Sequence, residues 1–371
     1  MPLTEIPTFP PKERTGIPLA ILILIGLATG AAGAGLLLWF APGLRRAEIP
    51  AGTQSVIVSS PGTVVVEEGS RINDIVKQSK AFMGAVYNVN SVIHIGDKNF
   101  YQKTAAKAAA ISLTDDGWFG SIADVPIVVG DVISIQGEAH FITRIVKDTA
   151  TPFVLLKVGD GTFSSARFMA AKDYMVGITV VATSPTSEAA RMNITSVDVP
   201  RRAKDGITES SDTLSTVLGV TQNASVLVGS PVYSIGGDVV GLIDGGNNTA
   251  VIYPGDALRT LLDRVLRYDE PNRAQLGLRY AITTNVQSGS AEAFVYSASG
   301  SAVVAKSPAA TAGLKAGDII VSIDGKSAAE SSNVFSILSS HIPGDQIVIK
   351  YMRGTETISK TVTLDSLSTG G

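Results

Sequence analysis

From Ile17 to Phe40 the chain reads IPLAILILIGLATGAAGAGLLLWF without one charged residue, and the core of a water-soluble domain has no use for so long an unbroken apolar run. As a helix rising about 1.5 Å per residue it spans roughly 36 Å, more than the hydrocarbon layer of a bilayer. A cleaved secretory leader is the competing reading, but its apolar stretch is ordinarily about 7–15 residues. The run therefore predicts one transmembrane helix over 17–40, preceded by a short segment, 1–16. Lys12 and Arg14 flank one end and Arg45 and Arg46 the other, so the charges by themselves leave the orientation open. Gly26, Gly30 and Ala34 are spaced to let two helices approach closely, although small residues are common in membrane helices.

With 371 residues, 45% of them apolar, the chain is long enough for two or three cores. Net charge is −3, and basic and acidic residues are interleaved, which argues against a nucleic-acid partner. The absence of cysteine removes disulfides, thiolate catalysis and zinc–sulfur sites without fixing a compartment. His94, His140 and His341 lie far apart and form no metal-ligand spacing. No metal and no cofactor is expected.

Residues 41–70 mix Pro, Gly and Ser with short β-branched runs and fit a linker. From Arg71 to about Tyr253, runs such as PIVVGDVISIQ, FVLLKVG and YMVGITVVATS alternate with turn residues, the pattern of an all-β barrel or sandwich. The stretch DALRTLLDRVLRY, Asp256 to Tyr268, puts Ala257, Leu258, Leu261, Leu262, Val265 and Leu266 on one helix face with Asp256 as N-cap. This helix should close a first domain, 71–268. The polar stretch 269–274 (DEPNRA) reads as a hinge, and a second β-rich domain follows over 275–366, with a short tail at 367–371.

In the second domain, SPAATAGLKAGDIIVSIDGK from Ser307 to Lys326 has a mechanical reading: a short helix stopped by Gly313, a turn at Gly317-Asp318, a buried strand Ile319–Ile323 and a hairpin turn at Asp324-Gly325. The run closely resembles the PDZ domains of HtrA-type proteases, and PGDQIVIKYMRGTETISKTVTL resembles their closing hairpin. The resemblance implies an α+β PDZ domain that binds peptides or protein C-termini by strand addition. Leu276, Gly277 and Leu278 would form the loop whose amides hold a terminal carboxylate, and Arg279, Tyr280, Ala281 and Ile282 the strand that pairs with the ligand. On a helix over Ser332–His341, Val334, Phe335, Ile337 and Leu338 are apolar, and those facing the groove, Val334, Ile337 and Leu338, would line the pocket for the last side chain. The plainer reading of these apolar residues is domain core.

Upstream, AAAISLTDDGW (108–118), KDTATPFVLLK (147–157), GSPV followed by GDVVG (229–241) and TAVIYPGDALRTLL (249–262) resemble, in order, the landmarks of the HtrA protease domain. That implies a chymotrypsin-like double β-barrel. Carried over position by position, the family's catalytic histidine falls on Asp124, its aspartate on Pro152, its serine on Val228 and its oxyanion glycine on Val226. The chemistry needs a nucleophilic oxygen, an imidazole base and an orienting carboxylate, so this carry-over predicts an inactive homologue, a pseudoprotease with no catalytic residues. The resemblance further implies soluble domains outside the cytoplasm, an adaptor or regulator role in envelope protein quality control, and a homo- or hetero-oligomer, as a trimer. Two alternatives remain open: an active endopeptidase with relocated residues such as Ser230, and a structural membrane protein with a vestigial groove.

Overall fold

The computed structural model describes residues 68–367 apart from 96–97, 124, 187, 201–206, 215, 222–225, 245–249 and 330–333. The expected membrane helix at 17–40, the linker before residue 68 and Asp124 therefore lie outside the described residues. Among those described, no helix is long and apolar enough to cross a membrane.

The chain enters on α1 (Glu68–Ser79), which the sequence reading does not anticipate, and then builds β1 (Met83–Tyr87), a hairpin of β2 (Val92–Ile95) and β3 (Lys98–Tyr101), β4 (Ala108–Ser112), β5 (Trp118–Ile122), β6 (Val132–Ile135), β7 (Glu138–Lys147) and β8 (Phe153–Val158). Six of these close into a barrel in the order β1-β4-β5-β8-β7-β6. A second six-stranded barrel, β10-β12-β15-β14-β13-β9, is made by β9 (Thr179–Thr183), β10 (Ala189–Pro200), β12 (Thr216–Val220), β13 (Pro231–Ser234), β14 (Val239–Asp244) and β15 (Val251–Pro254). The choice between barrel and sandwich is thereby resolved: closure leaves no exposed sheet edge in either unit. Between β10 and β12 the chain makes a further short strand, β11 (Thr208–Ser210), which belongs to neither barrel.

Small residues set how the barrels meet. β4 is buried along its whole length, with Ala108, Ala109 and Ala110 fully covered, and the Ala109 amide donates to the Val228 carbonyl of the second barrel at 2.8 Å. The helix α2 (Gly255–Tyr268) packs over both barrels, its Leu258 seated where Gly120 of β5 offers no Cβ; a Cβ there would lie 2.7 Å from Leu258 Cδ2. Leu258, Leu261, Leu262 and Val265 share one core with Ile111, Ile122, Phe153 and Leu242, each such side chain contributing about 1.5–3 kcal/mol by leaving water.

Two helix expectations need correction. The N-cap is Pro254, without a side-chain cap bond, and Asp256 sits inside the first turn, where its carboxylate accepts from the Tyr174 hydroxyl at 3.2 Å. Burial raises the Asp256 pKa, the tyrosine hydrogen bond only partly opposing it. Leu266 does not join the apolar face: it is 54% exposed, because it falls beyond the arc that the barrels cover.

After β16 (Ala274–Gln275) come β17 (Arg279–Thr284), β18 (Ala291–Val295), α3 (Pro308–Thr311), β19 (Ile319–Ile323), β20 (Lys326–Ser327), α4 (Val334–Leu338), β21 (Gln346–Arg353), β22 (Glu356–Thr363) and β23 (Asp365–Ser366). The run 307–326 folds as its turn chemistry requires. Ser307 Oγ accepts from the Ala310 amide as the N-cap of α3, and Gly313, Asp324 and Gly325 take positive φ. β19 is half-buried rather than buried, with Ile320 and Ile323 in the core and a register shift between Ile320 and Ser322. Its sheet runs β11-β17-β18-β19-β21-β22, with β20 paired to β19. One edge strand of the C-terminal sheet is thus supplied by the barrel region.

Polar contacts join the two parts. Arg273 grips Asp148 with its Nη2 2.6 Å from Oδ2 and its Nε 3.2 Å from Oδ1, and the two side chains are only 4% and 0% exposed. Arg264 of α2 donates to the carbonyls of Asn272, Ser339 and His341, each at 2.6 Å. Burial first, and the nearby Arg273 charge second, hold its guanidinium down to about 10.

Candidate functional site

Two turns carry the candidate chemistry, one at the seam between the barrels and one at the edge of the C-terminal sheet. At the seam, Val228 and Gly229 lie in a turn closed by the Ser230 amide donating to the Leu227 carbonyl at 3.0 Å. Gly229 has φ +80°, and a Cβ on it would lie 2.7 Å from the Ala109 carbonyl oxygen, so only glycine fits. Its amide donates to Ile243 O at 3.0 Å. Val228 packs on the barrel core and Val226 is buried within the second barrel. Ser230 is fully buried, and its Oγ has no hydrogen-bond partner. Ser121 Oγ is spent on the Ala109 carbonyl at 2.6 Å. Pro152 is buried, and its carbonyl accepts from the Ala123 amide at 2.8 Å.

The histidines are held elsewhere. His140, on β7, has Nδ1 2.9 Å from the Asp160 carbonyl and its ring edge-on to Phe163. His341 lies between Asp324 and Asp345, at 3.3 and 3.5 Å. Of the turn carboxylates at 115–116, Asp116 is engaged by Lys157 at 2.8 Å, and that bond, with a second from Thr114, lowers its pKa. Among the described residues no group of three or more His, Asp or Glu is placed to hold a metal ion.

At the second turn the amides are aimed differently. Gly277 has φ +79°, and a Cβ there would come within 2.2 Å of Ser307 Cβ. Leu276 and Leu278 on either side are buried in the core of the C-terminal domain, which leaves the three amides facing one way. Leu276 N donates to Asp212 Oδ1 at 2.9 Å, Gly277 N to Oδ1 and Oδ2 of the same carboxylate at 3.1 and 3.0 Å, and Leu278 N to Ser211 Oγ at 2.9 Å. Successive amides converging on an anion in this way form an oxyanion-type nest.

The strand that follows is paired on both sides. β17 meets β18 along Tyr280↔Val295 to Thr284↔Ala291 and, on its other edge, β11 along Ser210↔Arg279, Glu209↔Tyr280 and Thr208↔Ala281. Tyr280 is fully buried and donates to Glu209 Oε2 at 2.9 Å. Burial first and the Glu209 charge second keep its phenol well above its usual range, so it stays a donor. Its oxygen also accepts from the Val334 amide at 3.2 Å, at the start of α4. Arg279 reaches the carbonyls of Ser299 and Ser301, Ala281 is buried, and Ile282 is partly exposed.

The structure therefore places Leu276, Gly277, Leu278, Arg279, Tyr280, Ala281 and Ile282 along β17 and the turn that leads into it, with β11 covering the strand's outer side. Val334, Ile337 and Leu338 lie in the core of the same domain, while Phe335 turns toward the barrel core. The sequence reading did not single out Glu209, Ser211 or Asp212, whose side chains all engage this edge. The available signal was a run of small polar and acidic residues, ITESSD, inside a β-rich domain.

Residues 274–364 match the PDZ domain family. Across 88% of its length the chain is 22% identical to a protein of Chlamydia trachomatis named "Probable periplasmic serine endoprotease DegP-like" and spans 67% of that protein. It is 26% identical, over 63% of its own length and 61% of the relative's, to "Serine protease Do-like HtrA" of Lactobacillus helveticus. Among solved structures, "HtrA-type protease AlgW with tripeptide" superposes with a TM-score of 0.60 at 14% identity, covering 81% of this chain and 98% of that one, a likeness of fold. These relatives correct one expectation from the sequence. The reading of the chain as an inactive homologue, not an enzyme, is overturned because the curated relatives are named as serine endoproteases. The side chains at 152 and 228 are facts about two positions, not about turnover.

Proposed function

From the premise that this chain belongs to the HtrA/DegP-type serine protease family and carries a PDZ domain, we propose that it captures polypeptide C-termini in protein quality control outside the cytoplasm, tethered to the membrane through residues 17–40. The observation that carries this reading is the convergence of the Leu276, Gly277 and Leu278 amides on the oxygens of Ser211 and Asp212. A polypeptide α-carboxylate presents acceptor oxygens and charge of the same kind, and β17 offers its chain a strand to pair with once β11 leaves it. The extracytoplasmic setting is supported by a relative named as periplasmic, and the tether by the length of the charge-free run. An array of free-acid peptides without Asp or Glu, probed with the 371-residue chain in detergent, tests the capture: binding should saturate and vanish for the same peptides amidated. Equal binding of acid and amide forms would refute it.

Processing of the captured chain is a second part of the proposal, favoured by the relatives' names as endoproteases. Valine supplies no nucleophile, so attack on a peptide bond requires a relocated hydroxyl. Ser230 is the candidate in the same turn; its Oγ is fully buried and without a hydrogen-bond partner, so its attack requires the turn to open to substrate and to a base that takes the hydroxyl proton. Cleavage of unfolded casein that is lost on Ser230→Ala supports this assignment. Absence of cleavage, or cleavage that persists in Ser230→Ala, removes it while leaving the capture reading intact.

A further inference from the structure

The loop between β10 and β12 is far longer than the barrel needs. Pro200 pairs directly with Thr216, so the stretch of chain between them, numbered 201–215, exceeds the two to five residues that would ordinarily close such a hairpin. Within it, Ser211 and Asp212 are buried while Ile207 stands half-exposed at the entrance. The segment runs antiparallel along β17. Where a bound chain would end, the Ser211 amide donates to Leu278 O at 2.9 Å and the Asp212 carboxylate takes the amides of Leu276 and Gly277.

We propose that the PDZ groove holds a ligand built into the chain, Thr208–Asp212, in which the Asp212 side-chain carboxylate stands in for the α-carboxylate of a polypeptide C-terminus. This rests on the capture reading above and adds its regulation. The groove is closed at rest, and an external C-terminus enters by exchange with a tethered competitor. The competitor is internal, so the groove reads a carboxylate on an extended strand rather than a chain end as such.

Exchange also reaches the barrels. Two residues beyond Asp212, the Leu214 amide donates to the Ala150 carbonyl at 2.6 Å, in the loop whose Asp148 is gripped by Arg273. Pulling 208–212 from the groove therefore strains the bond from Leu214 to that loop of the first barrel.

The test uses the 371-residue chain in detergent and, as probe, the blocked peptide acetyl-ITESSDTL-amide, the sequence of residues 207–214. A tethered competitor acts at an effective concentration on the order of millimolar, so the parent chain should bind the probe weakly and Asp212→Ala at least about tenfold more tightly, since a larger fraction of grooves is open. Asp212→Asn, which keeps the side-chain shape, should shift affinity in the same direction and guards against a folding defect in the alanine variant. Hydrogen exchange is read in parallel. The amides of Leu276, Gly277 and Leu278 should be slow in the parent chain and faster in both variants. Fast exchange at all three amides in the parent chain would overturn self-occupancy. So would equal probe affinity in parent and variants. Slow amides that are released in both variants, with neither the probe nor a free-acid peptide bound by any form, would keep self-occupancy and refute capture instead.

Discussion

Gly229 and Gly277 adopt nearly the same positive φ, +80° and +79°, yet the two turns do opposite things with their amides. At 227–230 the amides are spent on the carbonyls of Leu227 and Ile243, and the turn carries Val228 against the core. At 276–278 the neighbouring side chains are buried and all three amides are left for side-chain oxygens. A glycine in the left-handed region is therefore no anion site in itself. It becomes one where the backbone ladder leaves donors unspent.

The largest effect should come from the contact that couples the two regions. Arg273→Ala leaves the Asp148 carboxylate buried without its cation and should cost about 3–5 kcal/mol, read by urea unfolding; a loss below about 1 kcal/mol would mean the pair is dispensable and the regions independent. Next, Gly277→Ala and Gly229→Ala should each destabilise by about 1–3 kcal/mol through strain at positive φ. Only the first should abolish peptide binding, and loss of binding in both would erase the contrast. Ser211→Ala removes the acceptor of the Leu278 amide and should cost about 1–3 kcal/mol, with melting of the 371-residue chain as the readout. A smaller effect is expected at Asp116, whose carboxylate is held below its ordinary value near 3.8 by Lys157 first and Thr114 second. With the folded pKa below the unfolded one, its contribution is present above that value and fades as pH falls through the folded pKa. Comparing Asp116→Asn with the parent chain between pH 3 and 7 should therefore show a stability difference well under about 1 kcal/mol, present at pH 7 and shrinking with acid. A difference that grows with acid would reverse the sign.

How much of this was legible in the sequence depended on how local the signals were. The stretch Ser307–Lys326 could be read residue by residue because its cap, its glycines and its Asp324-Gly325 turn act within a few positions. Strands of the barrels were readable from their β-branched runs, but closure was not, since it depends on pairs such as β1 with β6 that no short window contains. Asp256 looked like a cap because Asp commonly is one; its actual partner, Tyr174, lies 82 positions away. Strand β11 was invisible for the same reason. Thr-Glu-Ser has neither apolar alternation nor length, and its partner strand begins some 70 residues later. The groove residues 276–282 could be named from the resemblance, but what faces them could not.

One resonance tests the central claim most directly. The chain contains two Leu-Gly pairs, Leu218-Gly219 and Leu276-Gly277, so labelling leucine carbonyl carbon with ¹³C and glycine nitrogen with ¹⁵N isolates the Gly277 amide in a two-signal spectrum. A charge-assisted bond to Asp212 predicts a Gly277 proton shifted downfield, moving upfield in Asp212→Asn and returning when a free-acid peptide is added. A Gly277 signal that is the same in the parent chain and in Asp212→Asn, while Gly219 also stays fixed, would contradict the account.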